Sequence, residues 1–190
     1  SSTTMACLGL RVERLSMKKI FISLVVTFSA LSLSTPAQAA EKGWRYWGYF
    51  QTAPSTAKWV MANTGPSMPL VDGAVEGWVF TLSSKNISVT MPSIAPKFAS
   101  ICRGVAKRKD LLRIGLVIDY GNPLIAPKGE KPKRAHSECA EVVPGSTGLD
   151  LLKQNFTVRQ SAQGFICGIN KFPSNECSAE IVVPKALLKK

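Results

Sequence analysis

The sequence predicts an α+β fold: a single domain with a mixed, mainly antiparallel sheet, two helices on one face and two disulfides. Three observations point there. Several short stretches alternate with β period, two others carry helical spacing, and four cysteines fall in the part of the chain that follows a leader-like segment.

That segment comes first. Met17-Lys18-Lys19 is a charged start, Ile20 to Leu33 an apolar run, and Ala37-Gln38-Ala39 the small-x-small pattern that signal peptidase reads. The run falls short of the roughly 20 apolar residues a spanning helix needs. Residues 1–39 are therefore an upstream extension plus signal peptide, with cleavage near Ala39-Ala40 and a secreted domain over 40–190. The expected location is the extracellular face of the cell envelope, with no transmembrane segment in the mature chain.

Gly43 to Gln51 opens the domain and holds five of the chain's fifteen aromatics. Strand alternation puts Trp44, Tyr46, Gly48 and Phe50 on one face and Arg45, Trp47, Tyr49 and Gln51 on the other. Aromatics on both faces imply a strand covered twice, or one with a face kept for a partner. Lys58 to Ala62 pairs with it as a hairpin, closed by the Asn63-Thr64-Gly65-Pro66 turn. Ala74 to Leu82 is a third strand, and Ile87 to Thr90 a short edge strand within a loop. Ser93 to Cys102 has the spacing of an amphipathic helix with Pro96 in its first turn. Leu111 to Ile118 is a buried central strand, ended by Asp119-Tyr120-Gly121-Asn122-Pro123. From Asn122 to Cys139 the Pro, Gly and Lys content predicts a long exposed excursion. Glu141 to Pro144 is extended, and Ser146 or Thr147 caps a helix through Lys153. Gly164 to Asn170 is a further strand, and Glu180 to Pro184 an extended tail.

Cys102, Cys139, Cys167 and Cys177 form an even set, which in an exported chain reads as two disulfides. Three pairings are possible, and Cys102–Cys139 with Cys167–Cys177 closes loops between neighbouring elements. A four-thiolate zinc site lacks its C-x-x-C pairs. No metal or cofactor is expected.

From Ala40 onward 20 Lys+Arg stand against 11 Asp+Glu, a net charge of +9. That surplus favours an anionic envelope polymer or headgroup, and export argues against nucleic acid. Lys107, Arg108 and Lys109, together with Lys128, Lys131, Lys133 and Arg134, form one basic surface if their two loops meet. His136, the single histidine, reads as a solvated residue of the excursion. No Gly-x-Ser-x-Gly, His-Glu-x-x-His, phosphate loop or dinucleotide fingerprint occurs. Asp72 and Glu76 invite an acid/base reading, though Asp-Gly is an ordinary turn. Asp119 lies at the end of the central strand, where open sheets often hold ligands, but closing a turn is the commoner role of an Asp-Tyr-Gly-Asn run. The expected function is a non-catalytic binding module whose contact surface is Trp47, Tyr49, Asp72, Glu76 and Trp78. The alternatives are a basic envelope interaction protein and a hydrolase-like secreted enzyme.

Trp44-Arg45-Tyr46-Trp47, Asp72-Gly73-Ala74-Val75-Glu76-Gly77-Trp78, Ile101-Cys102, Gly115 to Gly121 and Ile166-Cys167-Gly168-Ile169 together resemble an uncharacterised Gram-positive secreted protein family. The resemblance covers the mature chain and all four cysteines. Members look like surface proteins encoded beside energy-coupling-factor transporter components, which implies a role near vitamin or metal-chelate uptake. A surface transporter component or a corrinoid-like ligand is then the implied partner. Val143 to Leu152, Phe165 to Ile169, Gly43 to Tyr46 and Asp72 to Trp78 also resemble the transcobalamin C-terminal-like domain in circularly permuted order. That resemblance implies a β-grasp-like sheet.

Overall fold

The computed structural model describes residues 40–188, so the expected leader lies outside the described residues. The chain is α+β, as the sequence predicts. Its strands are β1 (Lys42–Thr52), β2 (Val60–Met61), β3 (Val75–Ser84), β4 (Leu112–Asp119), β5 (His136–Val142), β6 (Val158–Gln160), β7 (Ile166–Ile169) and β8 (Ala179–Val182). The helices are α1 (Phe98–Ile101), α2 (Gly148–Asn155) and α3 (Lys185–Leu188), with a 3-10 turn over Pro123–Ile125.

The main sheet runs β2-β1-β3-β4-β5, and β8 pairs with the start of β1. All its pairings are antiparallel except β3 with β4, which run parallel through the α1 crossover. β6 and β7 form a separate antiparallel ribbon. Register decides the two faces. Tyr49 stands opposite Trp78, which stands opposite Ile118, which stands opposite His136. One face therefore carries Trp47, Tyr49, Trp78, Phe80, Ile114, Leu116, Ile118 and Ala140, and Leu151 and Leu152 of α2 join the same core. The opposite face carries Gly115 and Cys139. There Ile101 of α1 approaches Gly115, and Cys102 is bonded to Cys139. The expectation of two helices on one face thus fails. The crossover between parallel strands lays α1 on one side, and the return from β5 lays α2 on the other.

Both expected disulfides form, Cys102–Cys139 and Cys167–Cys177. The first staples α1 to β5, and the second ties β7 to the loop ahead of β8. Around that loop Arg45 donates to both carboxylate oxygens of Glu176 at 2.6 and 2.5 Å and to the Ile125 carbonyl at 3.0 Å. Arg159 donates to the carbonyls of Cys167, Pro173 and Glu176. Two half-buried guanidiniums thereby order a segment with little regular structure of its own.

Four further expectations change. The long excursion ends at Ala135, because His136–Val142 is a full strand against β4, and His136 sits beside Phe156 rather than in bulk solvent. Its polar sequence, His-Ser-Glu-Cys-Ala-Glu-Val, suits an edge strand, where half the side chains meet water. The helix before Cys102 shrinks to one turn, since Lys97 is extended and offers no side-chain cap. Ile87 to Thr90 forms no strand but hangs from β3 by Ser84 N–H to the Ile87 carbonyl and Thr90 N–H to Thr81 Oγ1. Lastly, the tail goes on from β8 into α3.

Candidate functional site

The aromatic ribbon is core, not platform. Trp47 is 7 % exposed and Trp78 fully covered, while the exposed aromatic of β1 is Trp44, at 53 %, on the opposite face. Trp47 meets Phe80, Tyr120 and Phe172 edge-on, with ring centroids 5.7, 5.6 and 6.5 Å away, and its indole N–H donates to the Phe172 carbonyl at 3.1 Å. A tryptophan so placed has its polar atom satisfied and its edges filled. The expectation that Trp47 faces outward fails because β1 is apolar on both faces, and alternation alone does not say which face the α2 layer takes.

Tyr49, Glu76 and Trp78 do come together, but under cover. The Tyr49 ring stacks on Trp78 with centroids 4.8 Å apart. Its hydroxyl donates to Glu76 Oε2, and Gln51 Nε2 donates to the Tyr49 hydroxyl at 2.7 Å. The start of α2 closes over this group so tightly that a Cβ at Gly148 would stand 2.7 Å from the Tyr49 oxygen. Thr147 caps that helix in a reciprocal capping box with Asp150. Glu76 is 2 % exposed. Burial pushes its carboxyl up to about 7 despite the Tyr49 and Gln51 donors. Burial and the neighbouring carboxylate raise the Tyr49 phenol far above its ordinary range. The Trp78 indole N–H has no partner among the described residues. The group is a polar knot packed under the start of α2, with Glu76 and Trp78 buried and Tyr49 and Gln51 half-buried at its rim.

Asp72 stands apart from that knot. It accepts from the Arg113 backbone N–H at 2.8 Å and from Lys107 Nζ at 2.9 Å, which holds its carboxyl below the usual range, the backbone donor first. Its work is to pin the turn before β3 to the start of β4.

The basic residues divide. Lys107, Arg108 and Lys109 precede β4 near the end of β5, whereas Lys131, Lys133 and Arg134 precede β5 near the end of β4. Antiparallel pairing sets the two groups at opposite ends of the strands, roughly 20 Å apart. Lys107 and Arg108 are also ion-paired, with Asp72 and Glu141. One joint basic surface does not form.

The opening lies elsewhere. β3 continues to Ser84, but its pairing with β4 stops at Val79 opposite Asp119. Beyond that point β3 has a strand on its β1 side only. The chain leaves β4 through Gly121, whose φ is +77° and whose Cβ, were there one, would sit 1.9 Å from the Phe80 carbonyl. Only glycine makes this exit. The space left by the departing chain is a cavity of about 520 Å³ walled by β3, by Ile87, Thr90 and Met91 of the hanging loop, by Ile125, and by Leu187 and Leu188 of α3. Asp119 lines it, 8 % exposed, accepting from Ser93 N–H at 2.7 Å and Gly121 N–H at 2.9 Å. Asp119 closes the turn, as its Asp-Tyr-Gly-Asn setting predicts, and it also edges a cavity at the carboxyl end of β4. The loop and tail walls carry no motif, and no signal in the sequence brings them to Asp119.

The family model of the SCO2322-like domain matches residues 39–182. The chain belongs to that family. Its match runs from the start of the described domain to the end of β8, so the SCO2322-like domain includes the sheet, both disulfides and Asp119, while α3 lies beyond the matched residues. No curated protein and no solved structure matches the chain. No helix among the described residues is long and apolar enough to cross a membrane, and two disulfides suit an oxidising compartment.

Proposed function

We propose that this SCO2322-like domain is an exported, non-catalytic binding module that holds a compact, largely apolar small molecule in the cavity beyond the end of β4. The cavity itself carries the reading: it has the size of an ordinary ligand pocket, and its surface is mainly apolar, with Thr81, Thr90, Ser93, Asp119 and Asn122 among its polar groups. A binder suits the chemistry better than a catalyst. The buried Glu76 is sealed under α2, and the residues lining the cavity with Asp119 include no histidine, cysteine, lysine or tyrosine to act beside it. A compact ligand also fits this volume better than a whole corrinoid macrocycle. The resemblance to surface proteins encoded near uptake systems supports a role beside a transporter component, to which such a module would deliver its ligand. An anionic envelope polymer is the weaker partner, because the basic loops stand apart and two of their cations are paired.

Equilibrium binding of the neutral fluorophore N-phenyl-1-naphthylamine to residues 40–190 in oxidised form tests the reading. Saturable one-to-one binding that Ile87→Trp abolishes, with the melting transition kept, is expected. Binding unaffected by filling the cavity would overturn it.

A further inference from the structure

We propose that the ligand of this cavity carries a cationic nitrogen, an alkylammonium or amidinium on an apolar body, and that Asp119 is its anchor. The inference rests on the cavity being a binding site and goes further, to the ligand's charge.

Asp119 is more than nine-tenths buried as a residue and lies on the wall of a mainly apolar chamber. No cation among the described residues comes within ion-pair distance of it; the five ion pairs of the domain involve other carboxylates. Its two hydrogen bonds come from neutral backbone N–H groups, one per oxygen. A carboxylate accepts about four hydrogen bonds, so roughly two acceptor positions remain. Buried charge is costly unless paired, and a basic chain with 20 Lys+Arg against 11 Asp+Glu from Ala40 onward has ample cations to supply. Yet the residues that line the cavity with it include no lysine or arginine. The same two N–H groups fix the carboxylate before any ligand arrives, which spares a ligand the cost of ordering it.

The overall charge would favour anions, so the proposal runs against the protein's long-range field. That field is screened beyond about 10 Å at 0.1 M salt, whereas a partly buried contact is screened much less. Binding of the cation should therefore hold or strengthen as salt rises, the reverse of a surface ion pair.

Isothermal titration of the oxidised 40–190 chain at pH 7 with three compounds of one shape decides it: 1-adamantanamine, 1-adamantanol and 1-adamantanecarboxylate. A charge-assisted hydrogen bond predicts that the amine binds about tenfold tighter than the alcohol, with the carboxylate weakest. Asp119→Asn should bring amine and alcohol level, and Ile87→Trp should remove all binding. Equal affinities for amine and alcohol in the unmodified chain would overturn the ammonium assignment while leaving the cavity a binding site. Binding of none of the three would overturn the cavity reading itself. Should Asp119→Asn fail to fold, the unmodified chain's ranking still decides.

Discussion

The two halves of β3 show opposite uses of one strand. Around Glu76–Trp78 it is flanked by β1 and β4 and capped by α2, and every side chain is sealed. From Phe80 onward β4 has left, and the vacated flank is a cavity closed by a loop, the Pro123–Ile125 turn and the tail helix. Residues of high chemical interest, a tryptophan stack and an ionisable carboxyl, mark the half that stabilises. Plain residues, Val79, Thr81 and Ile87, line the half that faces the cavity. Aromatic density here reports packing, and an opening arises where strand lengths do not match.

Substitutions sharpen that contrast, the largest effect first. Trp78→Ala removes a fully covered indole, stacked on Tyr49, from the sealed half and should cost about 3–5 kcal/mol in urea unfolding. At temperatures where the variant is folded, its cavity should bind N-phenyl-1-naphthylamine as the parent does. Loss of that binding in a folded variant would erase the division.

Glu76→Gln probes the sealed knot through pH. A carboxyl raised from 4.5 to about 7 by burial favours folding in its protonated form. Its contribution is fully present below about pH 4.5 and disappears as pH rises through about 7. A shift of this size amounts to something on the order of 3 kcal/mol. The difference between Glu76→Gln and the parent should therefore grow in the variant's favour from pH 4.5 to 7. Groups with lowered values, such as Asp72 and Asp150, act in the opposite sense at lower pH and cancel in that difference. A difference independent of pH would mean that Glu76 is solvated.

Thr147→Ala tests the lid over the knot more gently. Losing the capping box should cost about 1 kcal/mol by the same unfolding measurement, with Tyr49 remaining buried. A loss of several kcal/mol would show that the cap holds the knot shut as well as starting the helix.

Much of the fold was legible. Strands β1, β3, β4 and β7 advertise themselves by alternation or an apolar run, Thr147 and Asp150 announce α2, and the cysteine spacing favours the pairing that forms. β5 was not legible, because an edge strand with His136, Glu138 and Glu141 looks like a loop until β4 supplies its partner. Nor were the faces of β1, since aromatics stand on both and only tertiary packing selects between them. Of the site, Asp119 was visible by its place at the end of a strand. Ile87, Ile125 and Leu187 line the same cavity from three separate segments, each unremarkable alone.

Amide chemical-shift mapping of the oxidised 40–190 chain with 1-adamantanol tests most directly whether recognition happens at the open half of β3. The account predicts perturbations at Val79 to Leu82, Ile87 to Ser93 and Gly121, with Tyr49, Gln51 and Glu76 unmoved. Shifts centred on Tyr49, Gln51 and Trp78 would contradict it and return the aromatic strand to the role of binding surface.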